Sequence, residues 1–246
     1  MVGGRILADG RDIARKARSY RGFLAVLLVA VVAAAVLAMA WPRFLASFRY
    51  LPVEAAIRQY YQTGEIPTDR LPVLIRFADE AISHQDHYRF HDGLSILQVL
   101  RGMDFKTPAL ERRDAYVAAM DEAGLALRLA PANPATWLRL ASVRWILHEE
   151  PETVVDAWKM SIYTGRIHTS LFAKRLEIGL AWHAYLDEEG RSMLRDQLLL
   201  AWRLRPSQVM QVVSKRDRDL RISRGLLAAS DPVVLAEMED WLEKRR

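Results

Sequence analysis

The chain has 246 residues, of which 51% are hydrophobic and 26% are charged. This composition is typical of a protein that buries a core, and it excludes an intrinsically disordered chain. The formal net charge is +5 at pH 7, and the chain has no cysteine, which excludes disulfides and thiolate metal sites.

The positive charge is concentrated at the N-terminus. Residues 1–41 carry six basic and two acidic side chains, a net charge of +4, whereas the rest of the chain carries 29 basic and 28 acidic ones. The folded part is therefore nearly neutral. The high isoelectric point does not indicate a protein that binds nucleic acid.

Residues 22–42 are the predicted transmembrane helix. The run at 23–40, FLAVLLVAVVAAAVLAMA, is 18 residues long and holds no charged side chain. At about 1.5 Å per residue it spans about 27 Å, close to the hydrocarbon thickness of roughly 30 Å. Trp41 suits the membrane interface, and Pro42 is expected to mark the exit of the chain from the membrane.

Six basic residues precede this span, and three lie in the 20 residues that follow it. The positive-inside rule then predicts that residues 1–21 are a cytoplasmic tail in a bacterial inner membrane and that residues 43–246 are exported. A cleaved signal peptide is the alternative, because Ala38-Met39-Ala40 fits a cleavage site that would release a protein beginning at Trp41. The apolar run exceeds the roughly 7 to 15 residues of the hydrophobic region of a typical signal peptide, which favours the uncleaved membrane helix.

Small residues recur at every fourth position of the predicted span, at Ala30, Ala34 and Ala38. They place one small-residue face on the helix, where another membrane helix can approach closely. The three alanines are therefore candidates for packing within the membrane.

The rest of the chain is predicted to be all-α. Prolines follow the side-chain acceptors Thr107, Asn133 and Asp231, which are predicted as N-caps. Helix stops are predicted at or near four glycines, Gly64, Gly102, Gly165 and Gly190. The predicted helices cover 52–63, 69–83, 87–101, 108–129, 134–148, 151–163, 169–186, 190–204, 206–219 and 232–244.

Two segments are similar to each other, LALRLAP at 125–131 and LAWRLRP at 200–206, and AWKM at 157–160 is a weaker copy. The stretch ALRLAPANPATWLRLA at 126–141 resembles the junction between tetratricopeptide (TPR) repeats, with Trp137, Leu140 and Ala141 at the family's positions. Arg144 departs from the tyrosine expected there. The resemblance implies an irregular, TPR-like α-solenoid, in which Ala126, Leu140 and a mostly buried Trp137 pack one helix on the next. A plain helical bundle is the alternative.

Three histidines, His84, His87 and His91, lie near Asp86 and Asp92. On a continuous helix their imidazoles would fall within an arc of about 60°, at about 100° per residue, and could converge on zinc or copper. One helix supplies few ligands in a poorly fixed geometry, so we expect hydrogen-bonded or solvated histidines and no bound metal.

A basic stretch near the C-terminus is the second candidate site. Guanidinium groups bind carboxylates and phosphates, so this stretch could hold an acidic polysaccharide, lipid headgroups or an acidic partner. The alternative is a solvated helix face with internal ion pairs. Its members are Arg203, Arg205, Lys215, Arg216, Arg218, Arg221 and Arg224.

The sequence contains no Gly-rich phosphate loop and no GxGxxG, GxSxG or HExxH motif. Two groups of carboxylates could in principle act as acid/base pairs, but nothing singles them out: Asp114, Asp121 and Glu122, and Glu149, Glu150 and Glu152. The tryptophans at 137, 145, 158, 182 and 202 are expected to pack in the core. We therefore expect a protein that is not an enzyme and needs no cofactor.

The predicted function is a membrane-anchored scaffold that presents a helical domain to other membrane or envelope proteins. In layout the chain is similar to the single-span helical accessory proteins of bacterial exopolysaccharide and envelope-assembly systems. That likeness implies partners in the envelope. The alternative is a polyanion- or metal-binding module that uses the basic stretch or the histidines.

Overall fold

The computed structural model describes residues 3–65 and 68–244, with side chains from Val26 onward. The secondary structure in this part of the chain is helical throughout, with no strand. Three short 3-10 helices, Thr68–Arg70, Thr169–Leu171 and His183–Tyr185, accompany the α-helices. The α-helices are α1 (Gly3–Thr63), α2 (Leu71–His84), α3 (Tyr88–Met103), α4 (Ala109–Leu129), α5 (Pro134–Leu147), α6 (Pro151–Tyr163), α7 (Phe172–Ala181), α8 (Glu188–Leu204), α9 (Pro206–Arg216), α10 (Arg221–Leu227) and α11 (Pro232–Glu243).

Helix α1 is long and apolar enough near the N-terminus to cross a membrane. Pro42, the predicted exit of the chain from the membrane, does not interrupt the helix, which continues through both Pro42 and Pro52. It ends at Gly64, whose φ of 74° lies in the left-handed region that glycine adopts without strain. The separate helix predicted at 52–63 is the last part of α1.

Packing explains why α1 continues through two prolines. A proline inside a helix costs about 3 kcal/mol or more. Beyond Pro42, one face of α1 buries Ala46, Tyr50, Val53 and Ala56 in a cluster with α2 and α3. Full burial of a side chain such as valine contributes about 1.5 to 3 kcal/mol, so several such contacts together offset the prolines.

Tyr50 fixes α1 against α3. Its hydroxyl donates a hydrogen bond to the backbone carbonyl of Arg89 at 3.0 Å, and its ring centroid lies 4.9 Å from that of Phe90. A Cβ at position 93 would lie 1.7 Å from the Tyr50 hydroxyl oxygen. Only glycine at position 93 therefore allows Tyr50 to sit where it does.

Small residues also bring α3 and α4 together. Helix α4 buries alanines at four-residue spacing, including Ala115 and Ala119. The buried hydroxyl of Ser95 on α3 donates to the Ala119 carbonyl at 2.8 Å. Near the other end of α3, a Cβ at Gly102 would lie 2.7 Å from the ring of Tyr116. These close approaches make α3 and α4 a tightly packed pair.

The buried side chains of the described part form two hydrophobic clusters. One joins the part of α1 beyond Pro42 to α2 and α3. The other runs from α4 to α11 around residues such as Trp158 and Leu198. The α3–α4 pair lies where these clusters meet.

The α4–α5 junction agrees with several predictions. The Asn133 cap is confirmed, since its side chain accepts hydrogen bonds from the backbone N–H groups of Ala135 and Thr136. Ala126 and Leu140 are buried as expected. Trp137 is only half-buried, because its indole N–H donates to the Pro131 carbonyl at the exposed turn, 2.8 Å away. The prediction of a mostly buried Trp137 therefore holds only in part.

The two similar segments occupy equivalent places. The first closes α4 and the second closes α8, and Ala126 and Ala201 are both buried. The weaker copy at 157–160 lies inside α6 and closes no helix. The sequence similarity therefore marks a common way to end a helix in two of the three copies.

Arg175 is fully buried and ties three helices together. Its guanidinium donates to the Ser161 hydroxyl at 2.9 Å, the Gln197 side chain at 3.1 Å and the Arg166 carbonyl at 3.3 Å. It also contacts the Ser161 carbonyl. Because burial disfavours the charged form, the pKa of Arg175 is lowered to about 10. The cation thus links α6, α7 and α8 through neutral acceptors.

The helix predicted at 169–186 is instead two 3-10 turns on either side of α7. The prediction that Gly190 stops a helix was also wrong. Asp187 accepts a hydrogen bond from the Gly190 N–H at 2.8 Å, so Gly190 lies in the first turn of α8. Gly190 therefore belongs to the start of a helix and not to the end of one.

Of the two other predicted N-caps, Asp231 holds in part and Thr107 was wrong. Helix α11 begins at Pro232 as expected, but the Asp231 side chain makes no capping hydrogen bond. Helix α4 begins at Ala109, so Pro108, and not Thr107, occupies the cap position. The starting prolines set these helix ends without help from a side-chain acceptor.

The helix predicted at 206–219 ends at Arg216, and α10 was missed. The buried carboxylate of Asp217 accepts hydrogen bonds from the N–H groups of Ile222 and Ser223, 3.0 and 2.8 Å away. Leu220 between them is left-handed, with φ 54°, and buried. The turn thus breaks one helix and starts the next.

Replacing Trp158 by alanine is expected to lower the free energy of unfolding by about 3 to 5 kcal/mol, because the side chain is fully buried and its N–H bond to the Arg175 carbonyl is lost. Trp137→Ala should cost about 1 to 3 kcal/mol, because Trp137 is half-buried. Denaturant melts of the detergent-solubilised protein measure both values. Equal losses would contradict this assignment of the core.

Candidate partner-binding cleft

A cleft of about 530 Å³ lies where the end of α3, the following turn, the start of α4 and the end of α5 meet. Apolar and basic side chains share its walls. Its lining residues are Gly102, Met103, Phe105, Ala109, Arg112, Arg113, Tyr116, Ile146, Leu147 and His148.

Large apolar side chains stand exposed around this cleft. Phe105 is 90% exposed, and Met103 and Ile146 are exposed beside it. Single exposed apolar residues are ordinary on protein surfaces, whereas a group of them around a concavity is a candidate site for an apolar group. The cleft is therefore the best candidate for a binding site in the described part.

The turn between α3 and α4 holds Phe105 in this position. The Asp104 carboxylate accepts a hydrogen bond from the Lys106 N–H at 3.0 Å, and its backbone carbonyl accepts one from the Thr107 N–H at 3.0 Å. The Arg112 guanidinium lies 5.2 Å from the centroid of the Phe105 ring. A cation over an aromatic face is attracted to it, so the exposed ring is positioned before any ligand arrives.

The charges of the cleft are basic. Arg112 and Arg113 both line it, and His148 lies at its edge in a left-handed conformation with φ 59°. A neighbouring arginine, Arg101, is paired with Glu111 at 3.1 Å. The cleft therefore suits an apolar side chain that has a carboxylate near it.

In a second cleft, of about 630 Å³, several polar side chains on the rim are bonded to other side chains of the protein. On its rim Arg166 donates to Asp196 at 2.9 Å, and this bond lowers the pKa of Asp196. Tyr163, also on the rim, donates to Glu189. Because these polar groups already have partners, the second cleft offers fewer free contacts to a ligand.

The structure separates the three histidines. Helix α2 ends at His84, which is exposed, and His87 caps α3 by accepting a hydrogen bond from the Arg89 N–H. The continuous helix on which the metal arc depended is therefore broken. Within the described residues, no group of three or more suitable side chains is placed to hold a metal ion.

His91 is buried between two carboxylates. Its Nδ1 lies 2.6 Å from Glu122 and its Nε2 lies 2.9 Å from Asp86. Glu122 comes from α4 and Asp86 from the α2–α3 turn, so the imidazole links three segments. Asp92 lies elsewhere, bound by Arg139 at 2.8 Å. His91 is therefore a buried side chain that hydrogen-bonds to both carboxylates and holds the three segments together.

Part of the basic stretch is engaged in ion pairs. Arg216 donates to Glu177 at 2.7 Å and lies 4.9 Å from the Trp145 ring centroid, whereas Arg224 donates to Glu239 at 2.8 Å. Arg221 lines a third, small cleft with Arg191. All seven side chains are exposed; Arg218 and Arg224 line one small cleft, and Lys215 and Arg216 line another. Five of these side chains are exposed and form no hydrogen bond or ion pair within the described part of the chain: Arg203, Arg205, Lys215, Arg218 and Arg221.

The remaining candidates are also dispersed. Glu122 is engaged with His91, and the other carboxylates considered as acid/base pairs are exposed. Of the five tryptophans expected in the core, Trp158 is fully buried and the others are half-buried against the α4–α11 cluster. Ala30, Ala34 and Ala38 are exposed on α1.

Sequence reasoning missed Phe105, the most exposed large apolar residue of the cleft. It lies in a turn, where helical periodicity carries no signal. The available clue was an aromatic residue within an otherwise polar segment, Asp104 to Thr107, directly before a proline.

No family model matches this chain, and comparisons with curated proteins and with solved structures also found no match.

We expect His91→Ala to lower the free energy of unfolding by about 1 to 3 kcal/mol, because Glu122 loses its hydrogen-bond partner. The matched control His84→Ala, at an exposed helix end, should change stability by less than about 0.5 kcal/mol. Denaturant melts at neutral pH measure both. Similar losses for the two variants would show that the histidines act together and would reopen the metal site.

Proposed function

We propose that this protein is a single-pass adaptor of the bacterial cytoplasmic membrane, and that its exported helical domain binds a protein partner in an envelope complex. Helix α1 supports the anchoring, since it contains an apolar segment of membrane length and then packs into the domain as one helix. The bilayer and the domain are thereby joined without a flexible linker.

The orientation follows from charge. The tail before the span carries six basic residues, and the 20 residues after it carry three. Basic residues near a span are retained on the cytoplasmic side. The tail is thus cytoplasmic in this proposal, and the helices from α2 onward lie outside.

The proposed architecture of the domain is an irregular, TPR-like array. From α1 to α6, each helix packs against the next one in sequence. The similar helix endings at α4 and α8 agree with a repeated unit. Arrays of stacked helices generally present surfaces for proteins or peptides, and the α3–α4–α5 cleft is such a surface here.

One observation carries the adaptor function: an exposed Phe105 on a hydrogen-bonded turn, beside a basic cleft. A fixed, exposed aromatic ring loses little conformational entropy on binding, which is typical of interface hot spots. The expected partner segment presents an apolar side chain and a nearby carboxylate. Arg112 and Arg113 would receive the carboxylate.

Photo-cross-linking in intact cells tests this proposal. A benzophenone amino acid at position 105 of the full-length chain should yield one discrete adduct with another protein. The matched control is position 233, because Val233 is also strongly exposed, at 70%, but lies on α11 away from this cleft. The adduct at 105 should be lost when Ile146→Asp places a charge inside the cleft.

Cross-linking of equal yield at 105 and 233, or none at 105, would contradict the cleft as a partner site. An adduct at 105 that survives Ile146→Asp would place the partner outside the cleft. Thermal melts of each variant check that the domain is folded.

A further inference from the structure

The cleft that Arg191 and Arg221 share has a volume of about 250 Å³. It lies between the start of α8, α10 and the 3-10 turn that precedes α8, and we call it the α8–α10 cleft. Each of these elements contributes a basic side chain, Arg191 from α8, Arg221 from α10 and His183 from the turn. None of the described residues that line this cleft is acidic. The fold thus brings three basic groups to one concavity.

The two guanidinium groups of the α8–α10 cleft are unpaired. Neither Arg191 nor Arg221 forms a hydrogen bond or an ion pair through its side chain within the described part of the chain. Arg224 on the same short helix differs, because it donates to Glu239 at 2.8 Å. The N–H donors of Arg191 and Arg221 are therefore available to an anion from outside the protein.

The carboxylates that precede α8 and α10 already have partners. Asp187, before α8, accepts hydrogen bonds from Lys159 at 2.7 Å and from a backbone N–H of α8 at 2.8 Å. Asp217, before α10, is buried and accepts from two backbone N–H groups of that helix and from the Ser223 hydroxyl. These two carboxylates therefore do not pair with the guanidinium groups of the cleft.

The rest of the wall of the α8–α10 cleft is apolar and open. Leu194, Ile222 and Leu226 line it together with Gly225. A Cβ at position 225 would meet no atom within 4 Å, so there is free space beside this glycine. Apolar walls have a low dielectric constant and strengthen the attraction between a cation and an anion next to them.

We propose that the α8–α10 cleft binds the phosphate group of a phosphate monoester. Two guanidinium groups carry two positive charges, which match the charge of about −1.5 to −2 on a phosphate monoester better than the single charge of a carboxylate. Planar guanidinium groups also donate paired hydrogen bonds to phosphate oxygens. The imidazole of His183 adds an N–H donor even when it is neutral.

The volume of the cleft limits what it can hold beside the phosphate. About 250 Å³ corresponds to roughly eight water molecules at about 30 Å³ each. This is room for a phosphate and a short carrier such as glycerol. The same phosphate chemistry occurs in small soluble esters and in the headgroup of phosphatidic acid, so the test uses both.

Titration calorimetry on the full-length, detergent-solubilised protein tests the site, with glycerol 3-phosphate as the probe at constant ionic strength. Arg191→Gln with Arg221→Gln should raise the Kd at least about tenfold, because charge-assisted hydrogen bonds are lost. The matched control, Arg203→Gln with Arg205→Gln, removes the same charge from exposed, unpaired residues outside the cleft. Arg203 lies about 18 Å from Arg191 along α8, beyond the Debye length of about 8 Å, so the control should bind almost as the unaltered protein does.

Gly225→Leu tests the cleft without a change of charge, because its side chain would occupy the free space at that position. It should weaken binding of glycerol 3-phosphate while the melting temperature stays the same. In a second arm, phosphatidic acid is compared with phosphatidylcholine in mixed micelles. Binding in either arm that depends on Arg191 and Arg221 supports the site, and the arm with the lower Kd identifies the carrier.

Three results would overturn the proposal. Equal weakening by the two double variants, or unchanged binding by Gly225→Leu, would place the anion outside the α8–α10 cleft. A lack of binding of both glycerol 3-phosphate and phosphatidic acid to the unaltered protein would show that the cleft is not a phosphate site.

Discussion

The contact between Tyr50 and Gly93 is the constraint on which the rest of the structure depends. It brings a continuous helix from the apolar span into the domain, because Tyr50 both donates to the Arg89 carbonyl and fills the space that a side chain at position 93 would take. Arg89 strengthens the same contact, since its guanidinium pairs with Glu54 at 2.5 Å. The orientation of the domain relative to the span is therefore set by packing and not by a linker.

Helices α1 and α3 therefore have distinct structural roles. The packed face of α1 fixes the domain, and another face of the same helix leaves Trp41, Phe44 and Phe48 exposed. Helix α3 extends this close packing to α4, because small residues of α3 also bring these two helices close together. The turn that joins α3 to α4 presents Phe105, so the proposed partner site is built on the most tightly packed helix pair of the domain.

The sequence predicted the features that depend on local patterns. The apolar run, most helix starts at prolines and the Asn133 cap follow from residues close together in the chain. The missed features depend on tertiary contacts. Leu220 adopts a left-handed conformation that leucine disfavours alone, and it does so where its side chain is buried and Asp217 caps the next helix. The cleft forms only where α3, α4 and α5 pack together. Phe105 could therefore not be recognised as part of a site from its own segment.

Cysteine scanning of α1 with a membrane-impermeant maleimide, added from outside to spheroplasts, tests most directly that one unbroken helix joins the span to the packed domain. The account predicts reaction at Arg43→Cys, Arg49→Cys and Gln59→Cys, which are exposed, and protection at Ala46→Cys and Val53→Cys, which face α2 and α3. Uniform reaction at all five positions would contradict it, because it would show a flexible segment after Pro42 in place of a helix packed on one face.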